Sequence, residues 1–209
     1  WVVGSEQLLE WTTTGIVPKV ALEYSRDGFA QDIGVIHPDY PNEDRYVWNI
    51  PDAIHGHVQV RVRDAVNDQV QSISAPFKIA GEIDLLAPVN GQSFVVGSEQ
   101  HIQWKTVGTI EQVNVEYSLD GFEADARLID RVHVINTEQL TSYYWLVPDA
   151  ISDNVWLRVS DVRDASVFGM TDGPIQVQGE LKMMSPSGGE ILRVGMREEV
   201  LWRTTGSIP

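Results

Sequence analysis

The sequence predicts an all-β chain of tandem antiparallel β-sandwiches, and three observations carry that reading. The first is internal repetition. Residues 94–122 restate residues 1–29 without a gap, with 16 of 29 positions identical, among them Gly4/Gly97, Trp11/Trp104 and the pairs Tyr24-Ser25 and Tyr117-Ser118. A third, degenerate copy starts at Leu192, with Gly195 and Trp202 in the places of Gly97 and Trp104. A fixed period of about a hundred residues marks a tandem domain array. The second observation is a strict apolar/polar alternation in short runs. The third is that no window of about 11 residues or more keeps a helical period.

Taken in order, the first repeat gives four such runs: Leu9/Trp11, Val20/Leu22/Tyr24, Tyr46/Trp48/Ile50 and Val58/Val60/Val62. The second repeat writes them again as Ile102/Trp104, Val113/Val115/Tyr117, Tyr143/Trp145/Val147 and Val155/Leu157/Val159. Gln103, Asn114, Glu116, Arg158 and Ser160 stand between the apolar positions. This period of two places one face of each strand in a core and the other in water. Ser25-Arg26-Asp27-Gly28 and Ser118-Leu119-Asp120-Gly121 follow a strand each, and their glycines supply the positive φ that closes a short hairpin. Pro51-Asp52-Ala53 and Pro148-Asp149-Ala150 end strands, since proline cannot donate to a ladder. Short strands at this spacing, with turns between them, make an antiparallel sandwich.

Ala80-Gly81-Glu82 and Gln178-Gly179-Glu180 are equivalent and follow the last apolar run of each repeat. Placing boundaries there gives residues 1–80 as a sandwich lacking its first strand and 81–179 as a complete one. Residues 180–209 are then the first two strands of a third repeat. Residues 1–80 have no counterpart of residues 83–93, so the chain reads as a window on a longer array. Linkers this short restrict neighbouring domains, which makes Gly81 and Gly179 candidate interface positions.

Composition narrows the function. An apolar fraction of 43% with seven tryptophans is that of folded globular units. A formal charge of −15 argues against nucleic-acid binding, because no Lys/Arg cluster is present to replace counterions on phosphates. No run approaches the ~18 apolar residues of a membrane span, so none is expected in this segment. The absence of cysteine removes disulfides, zinc-thiolate sites and cysteine nucleophiles together.

The recurring framework is Val96-Gly97-Ser98, Trp104, Gly108, Tyr117-Ser118, Trp145, Val147-Pro148-Asp149 and Arg158-Val159. It resembles the Kre9/Knh-type immunoglobulin-like module of yeast wall proteins, found in Ser/Thr-rich, GPI-anchored surface proteins. Similar modules recur in large bacterial and archaeal surface proteins. The resemblance covers both full repeats and the partial third. It implies tandem immunoglobulin-like antiparallel β-sandwiches used as a spacer, wall or matrix component outside the cell. The chain departs from the yeast proteins in lacking a Ser/Thr-rich tail and any Asn-x-Ser/Thr acceptor, so anchor and glycan attachment are not implied.

Chemistry is sparse. His55-Gly56-His57 and His37 beside Asp39, Glu43 and Asp44 are the metal candidates, but the second repeat has Asp153-Asn154 in place of the histidine pair, and solvated loops are the better reading. Asp52, Asp149, Asp153, Asp161 and Asp164 lie near strand ends. Several converging at a domain junction would suit calcium, which takes six to eight oxygens. Acidic loops are ordinarily just solvated, however, and no cofactor is predicted. No phosphate loop, nucleophile elbow or zinc-protease helix is written in the chain, and no catalytic residue is assigned. Trp11, Trp48, Trp104 and Trp145 share parity with aliphatic neighbours and are expected in the cores. Trp156 has the opposite parity to Val155 and Leu157, which turns it outward toward another domain or subunit. Phe168, in an expected loop at residues 168–173, joins it as an interface candidate. Glu23/Arg61 and Glu116/Arg158 are matched outward charges expected to pair across neighbouring strands.

The function expected is structural and non-enzymatic: a repeat segment of a long extracellular or cell-surface protein. Its partners are neighbouring repeats of the same protein, homo-polymerised into a filament or surface layer. The competing expectation is an adhesion or carbohydrate-binding module whose loops at residues 37–45 and 130–142 meet a glycan or protein.

Overall fold

A computed structural model describes residues 1–135 and 140–208. The expected loops at residues 37–45 and 130–142 are corrected in part, since residues 37–41, 130–133 and 141–142 lie in strands, and residues 136–139 lie outside the described residues. The described residues form strands and turns, with no helix among them. They divide into two compact units, Trp1–Glu82 with Thr106–Ile110, and Ile83–Lys105 with Glu111–Pro209.

The first unit holds β1 (Glu6–Glu10), β2 (Lys19–Ser25), β3 (Gly34–Pro41), β4 (Arg45–Asn49), β5 (His55–Asp64), β6 (Gln71–Ile73) and β7 (Phe77–Ile79). One layer is the antiparallel pair β1-β4, and the other is ordered β3-β2-β5-β6 with β7 also on β5. The alternation read from the sequence sets the registers, in which Glu23 faces Arg61 and Leu22 faces Val62. Between the layers, Leu9, Trp48, Ile50, Ala53, Val58, Val60 and Ile79 form the core.

The second unit repeats this plan with more strands: β8 (Glu82–Ala87), β9 (Ser93–Val95), β10 (Glu99–Val107), β11 (Gln112–Ser118), β12 (Arg127–His133), β13 (Thr141–Leu146), β14 (Ser152–Asp161), β15 (Phe168–Met170) and β16 (Ile175–Gln178). One sheet runs β13-β10-β8 and the other β12-β11-β14-β16-β9, with β15 also on β14. A final hairpin pairs β17 (Glu180–Ser185) with β18 (Leu201–Thr205). β5 and β14 are ten residues long and each carries an irregularity at the same place, between His55 and Val58 and between Ser152 and Val155. A bulge of this kind bends a strand, and the two halves of each pair with different partners, β6 and β7 or β15 and β16.

Trp48, Trp104 and Trp145 are 4%, 0% and 2% exposed, as their parity predicts. Trp11 corrects the expectation of four buried indoles: it is half-buried, and its Nε1 donates to Asn42 Oδ1 at 2.9 Å. The cause is topological. Among the described residues β10 lies between β13 and β8, whereas its equivalent β1 pairs with β4 alone. The expected loop at residues 168–173 is also corrected in part, since Phe168–Met170 form β15.

Candidate functional site

Each unit contains one turn that docks on the end of a strand-capping loop, and the two sites use the same residue types. In the first unit, Pro51-Asp52-Ala53 caps β4, and Asp52 Oδ2 accepts a hydrogen bond from Thr109 Oγ1 at 2.5 Å. In the second, Asp149 caps β13 and accepts from Ser207 Oγ at 2.5 Å and from the Ser207 amide at 3.0 Å. These bonds from the Ser207 hydroxyl and amide hold the Asp149 carboxyl below its ordinary range.

Glycine makes the approach close. Gly108 has φ +77°, and a Cβ there would lie 3.0 Å from both Ile54 Cδ1 and Val3 Cγ2. Gly206, at φ +80°, faces Val96 Cγ2 at 3.0 Å and Ile151 Cδ1 at 3.3 Å. The boundary glycines sit at the other side of each turn. A Cβ on Gly81 would be 2.6 Å from the Val107 carbonyl oxygen, and one on Gly179 2.7 Å from that of Thr205. Real Cβ atoms do not come so near, so each of these glycines is packed against backbone of its own unit. The first repeat carries the same turn at Gly15-Ile16-Val17, where Gly15 meets nothing within 4 Å and Ile16 is 95% exposed.

A second repeated constellation covers the outer face of the larger sheet. Arg61 donates from Nε and Nη2 to Glu23 Oε2 at 2.8 and 2.6 Å, and Arg63 reaches Glu23 Oε1 at 3.2 Å. Burial pushes the Glu23 carboxyl up, but hydrogen bonds from Arg61 and Arg63 outweigh it and leave the group below its ordinary value. In the second repeat Arg158 and the Ser160 hydroxyl bond Glu116 Oε2 at 3.1 and 3.2 Å. Phe29 and Phe122, both at φ 67°, lay their rings 4.3 and 4.1 Å from the Arg61 and Arg158 guanidinium carbons. The alternation foretold the ion pairs. The cation–π lid was not foretold, although the repeated Asp-Gly-Phe was its signal.

The same hairpin loops are pinned by Asp27 and Asp120. The Asp27 carboxylate accepts from the amides of Ala30, Gln31 and Asp32 and from the Ser25 hydroxyl. Led by the Asp32 amide and the Ser25 hydroxyl, these bonds lower its pKa to about 2.

The remaining candidates separate. Trp156 lies on the outer face, half-buried, donating from Nε1 to Asn154 Oδ1 at 3.0 Å, while Asn154 bonds the Leu119 carbonyl. Phe168 is 45% exposed beside Arg158. His55 and His57 are exposed, with ring centroids 6.4 Å apart. His37 packs against Tyr40 and Tyr46. The carboxylates do not converge: Asp52 and Asp149 meet hydroxyls, and Asp161 and Asp164 accept from Arg163 and Ser166 in their own turns. Among the described residues no three His, Cys, Asp or Glu side chains come together.

No family model matches the chain, and no curated protein matches it in sequence. Among solved structures, the fibronectin(III)-like modules of Clostridium thermocellum CbhA align at 13% identity over 85% of this chain and 86% of theirs, TM-score 0.30. The titin domains z1z2, solved in complex with telethonin, align at 17% identity over 86% and 91%, TM-score 0.27. A Bacteroides ovatus glucan-utilisation protein, SGBP-B, solved with a mixed-linkage heptasaccharide, aligns at 10% identity over 87% of this chain and 46% of its own, TM-score 0.27. Superpositions this loose carry no functional argument.

Proposed function

We propose that the chain is a structural segment of tandem immunoglobulin-like modules, of the Kre9/Knh type, from a long extracellular or cell-surface protein whose repeats associate into a filament or surface layer. The observation behind this is the docked turn, written twice with an Asp acceptor, a hydroxyl donor and two close-approach glycines. A relation between repeats that recurs unchanged along an array generates a helical rod. Contacts between unlike surfaces that do not close extend it further. The charge of −15 opposes lateral packing at low salt, so fibres of this protein bundle more as salt rises.

Electron microscopy of the chain and of a longer array, with sedimentation of the parent and of Trp156→Ser across a salt series, tests the reading. Regular rods that thicken with salt, and weaker assembly of the variant, are expected. Isolated particles, with no salt dependence and no effect of the variant, overturn it.

The adhesion reading has one observation of its own. His37, Tyr40 and Tyr46 form a partly exposed aromatic cluster, with Tyr40 and Tyr46 centroids 5.0 Å apart. Aromatic faces of this kind suit sugar rings. Calorimetric titration with a panel of oligosaccharides is its test: binding that is lost in Tyr40→Ala supports it, and no binding overturns it.

A further inference from the structure

Equivalent indoles in the two repeats keep different company. In the first, Trp11 Nε1 donates to Asn42 Oδ1 at 2.9 Å. The other end of that carboxamide donates from Nδ2 to Thr13 Oγ1 and to the Val17 carbonyl, each at 2.9 Å. One side chain thus serves an indole donor and a hydroxyl two residues further along.

The gapless repeat puts Trp104 and Thr106 in the places of Trp11 and Thr13. Both lie on β10, 0% and 1% exposed, and their side chains share one face of that strand. Among the described residues, neither Trp104 Nε1 nor Thr106 Oγ1 has a hydrogen-bond partner. One backbone correspondence gives the reason. The Asn42 amide donates to the Pro18 carbonyl at 3.0 Å, and the equivalent Glu111 carbonyl accepts from the Val134 amide at 3.0 Å. Val134 therefore holds the backbone place of Asn42 and brings no carboxamide to it. A buried donor and a buried hydroxyl without partners are rare in native cores, since each has given up its bonds to solvent. Two of them side by side call for a shared partner.

We propose that the second repeat contains an internal hydration site, in which one bound water accepts from Trp104 Nε1 and donates to Thr106 Oγ1, as the Asn42 carboxamide bridges Trp11 and Thr13. The second hydrogen of the water is left for a carbonyl, and the repeat sets Ile110 where Val17 stands. Three bonds are the usual complement of a buried water. The chemistry selects water over other ligands. An indole N–H needs an acceptor, so no cation fits. The group replaced is a single carboxamide and Trp104 is fully enclosed, so a larger solute is excluded. The second repeat thus takes from solvent a bridge that the first builds from its own chain, independently of any filament.

Water–protein NOE spectroscopy of the full chain tests the site. The Trp104 indole N–H, assigned by its loss in Trp104→Phe, is expected to show a cross-peak to water with the sign of a long-lived, bound molecule. Val134→Asn restores the carboxamide, and the cross-peak should fall several-fold or vanish while the N–H stays protected from exchange. Val134→Ala adds no polar atom and should keep it. Val134 is half-buried and Asn is what the first repeat carries there, so the variant is expected to fold, which far-UV spectra verify. The measurement on the parent stands without either variant. No cross-peak in the parent, or one unchanged in Val134→Asn, overturns the proposal. So does a high-resolution crystal structure with a protein group bonded to Trp104 Nε1.

Discussion

Trp11 and Trp104 hold the same place in two near-copies, yet one indole is half exposed and the other sealed. The neighbours they share by sequence are alike, and the registers around them correspond. What differs is one strand of six residues, β8, which lies over Trp104 and has no equivalent over Trp11 among the described residues. A core residue's burial is thus decided less by its own strand than by whether the next strand lies against it. An alternating pattern assigns a face to a side chain, but it does not say whether that face is roofed.

The comparison can be broken most forcefully at the indoles. Trp104→Ala should cost about 3–5 kcal/mol in urea unfolding. Trp11→Ala, which loses a ring already half in water, should cost about 1–2 kcal/mol. Equal losses would mean that β8 does not make the difference.

The boundary glycines come next. Gly81→Ala places a methyl against the backbone oxygen of Val107 and is expected to cost about 1–3 kcal/mol. Gly179→Ala, at a half-buried site beside Ile208, should cost less on the same thermal-unfolding assay.

A smaller contrast separates the ion pairs. Glu23→Gln loosens two guanidinium contacts and Glu116→Gln one guanidinium and one hydroxyl. Losses of about 1–2 kcal/mol and about 1 kcal/mol are expected, allowing for solvent at the arginines. Because the folded Glu23 carboxyl lies below its ordinary value, its contribution is present above about pH 4.5 and falls away as pH drops through the folded value. A pH series of the Glu23→Gln difference measures this, and a constant difference down to pH 2 contradicts it.

The smallest effect is local. Asp27 should titrate near pH 2 by carbon-detected NMR, and the amides of Ala30, Gln31 and Asp32 should become more exchangeable only as pH falls toward that value. Titration near 4 would mean the loop is not pinned as drawn.

Much of this was legible in the residues because a period of two is unambiguous over five to ten positions. Val20, Leu22, Val113, Val115 and three of the four core tryptophans fell where parity placed them. Arg61 opposite Glu23 was legible for the same reason. Arg63 was not assigned, though it shares Arg61's parity, and Ser160 takes its place in the second repeat. The positive φ of Phe29 and Phe122 was not read, since bulky residues rarely adopt it; the Phe amides donate to Ser25 and Ser118 Oγ and the rings lie over Arg61 and Arg158. The docked turns were invisible because their partners lie 57 and 58 positions apart, beyond any local pattern.

The turn at Gly15-Ile16-Val17 has a further consequence for which turns suit an aspartate cap. Where the other copies carry a hydroxyl, at Thr109 and Ser207, this one carries Ile16. Its amide remains able to donate, but the short side-chain bond to an aspartate is chemically barred. An Ile16-type turn set against an Asp149-type cap would lack the bond that Thr109 and Ser207 make. One side-chain oxygen therefore decides whether a turn of this shape can make the short bond to its aspartate.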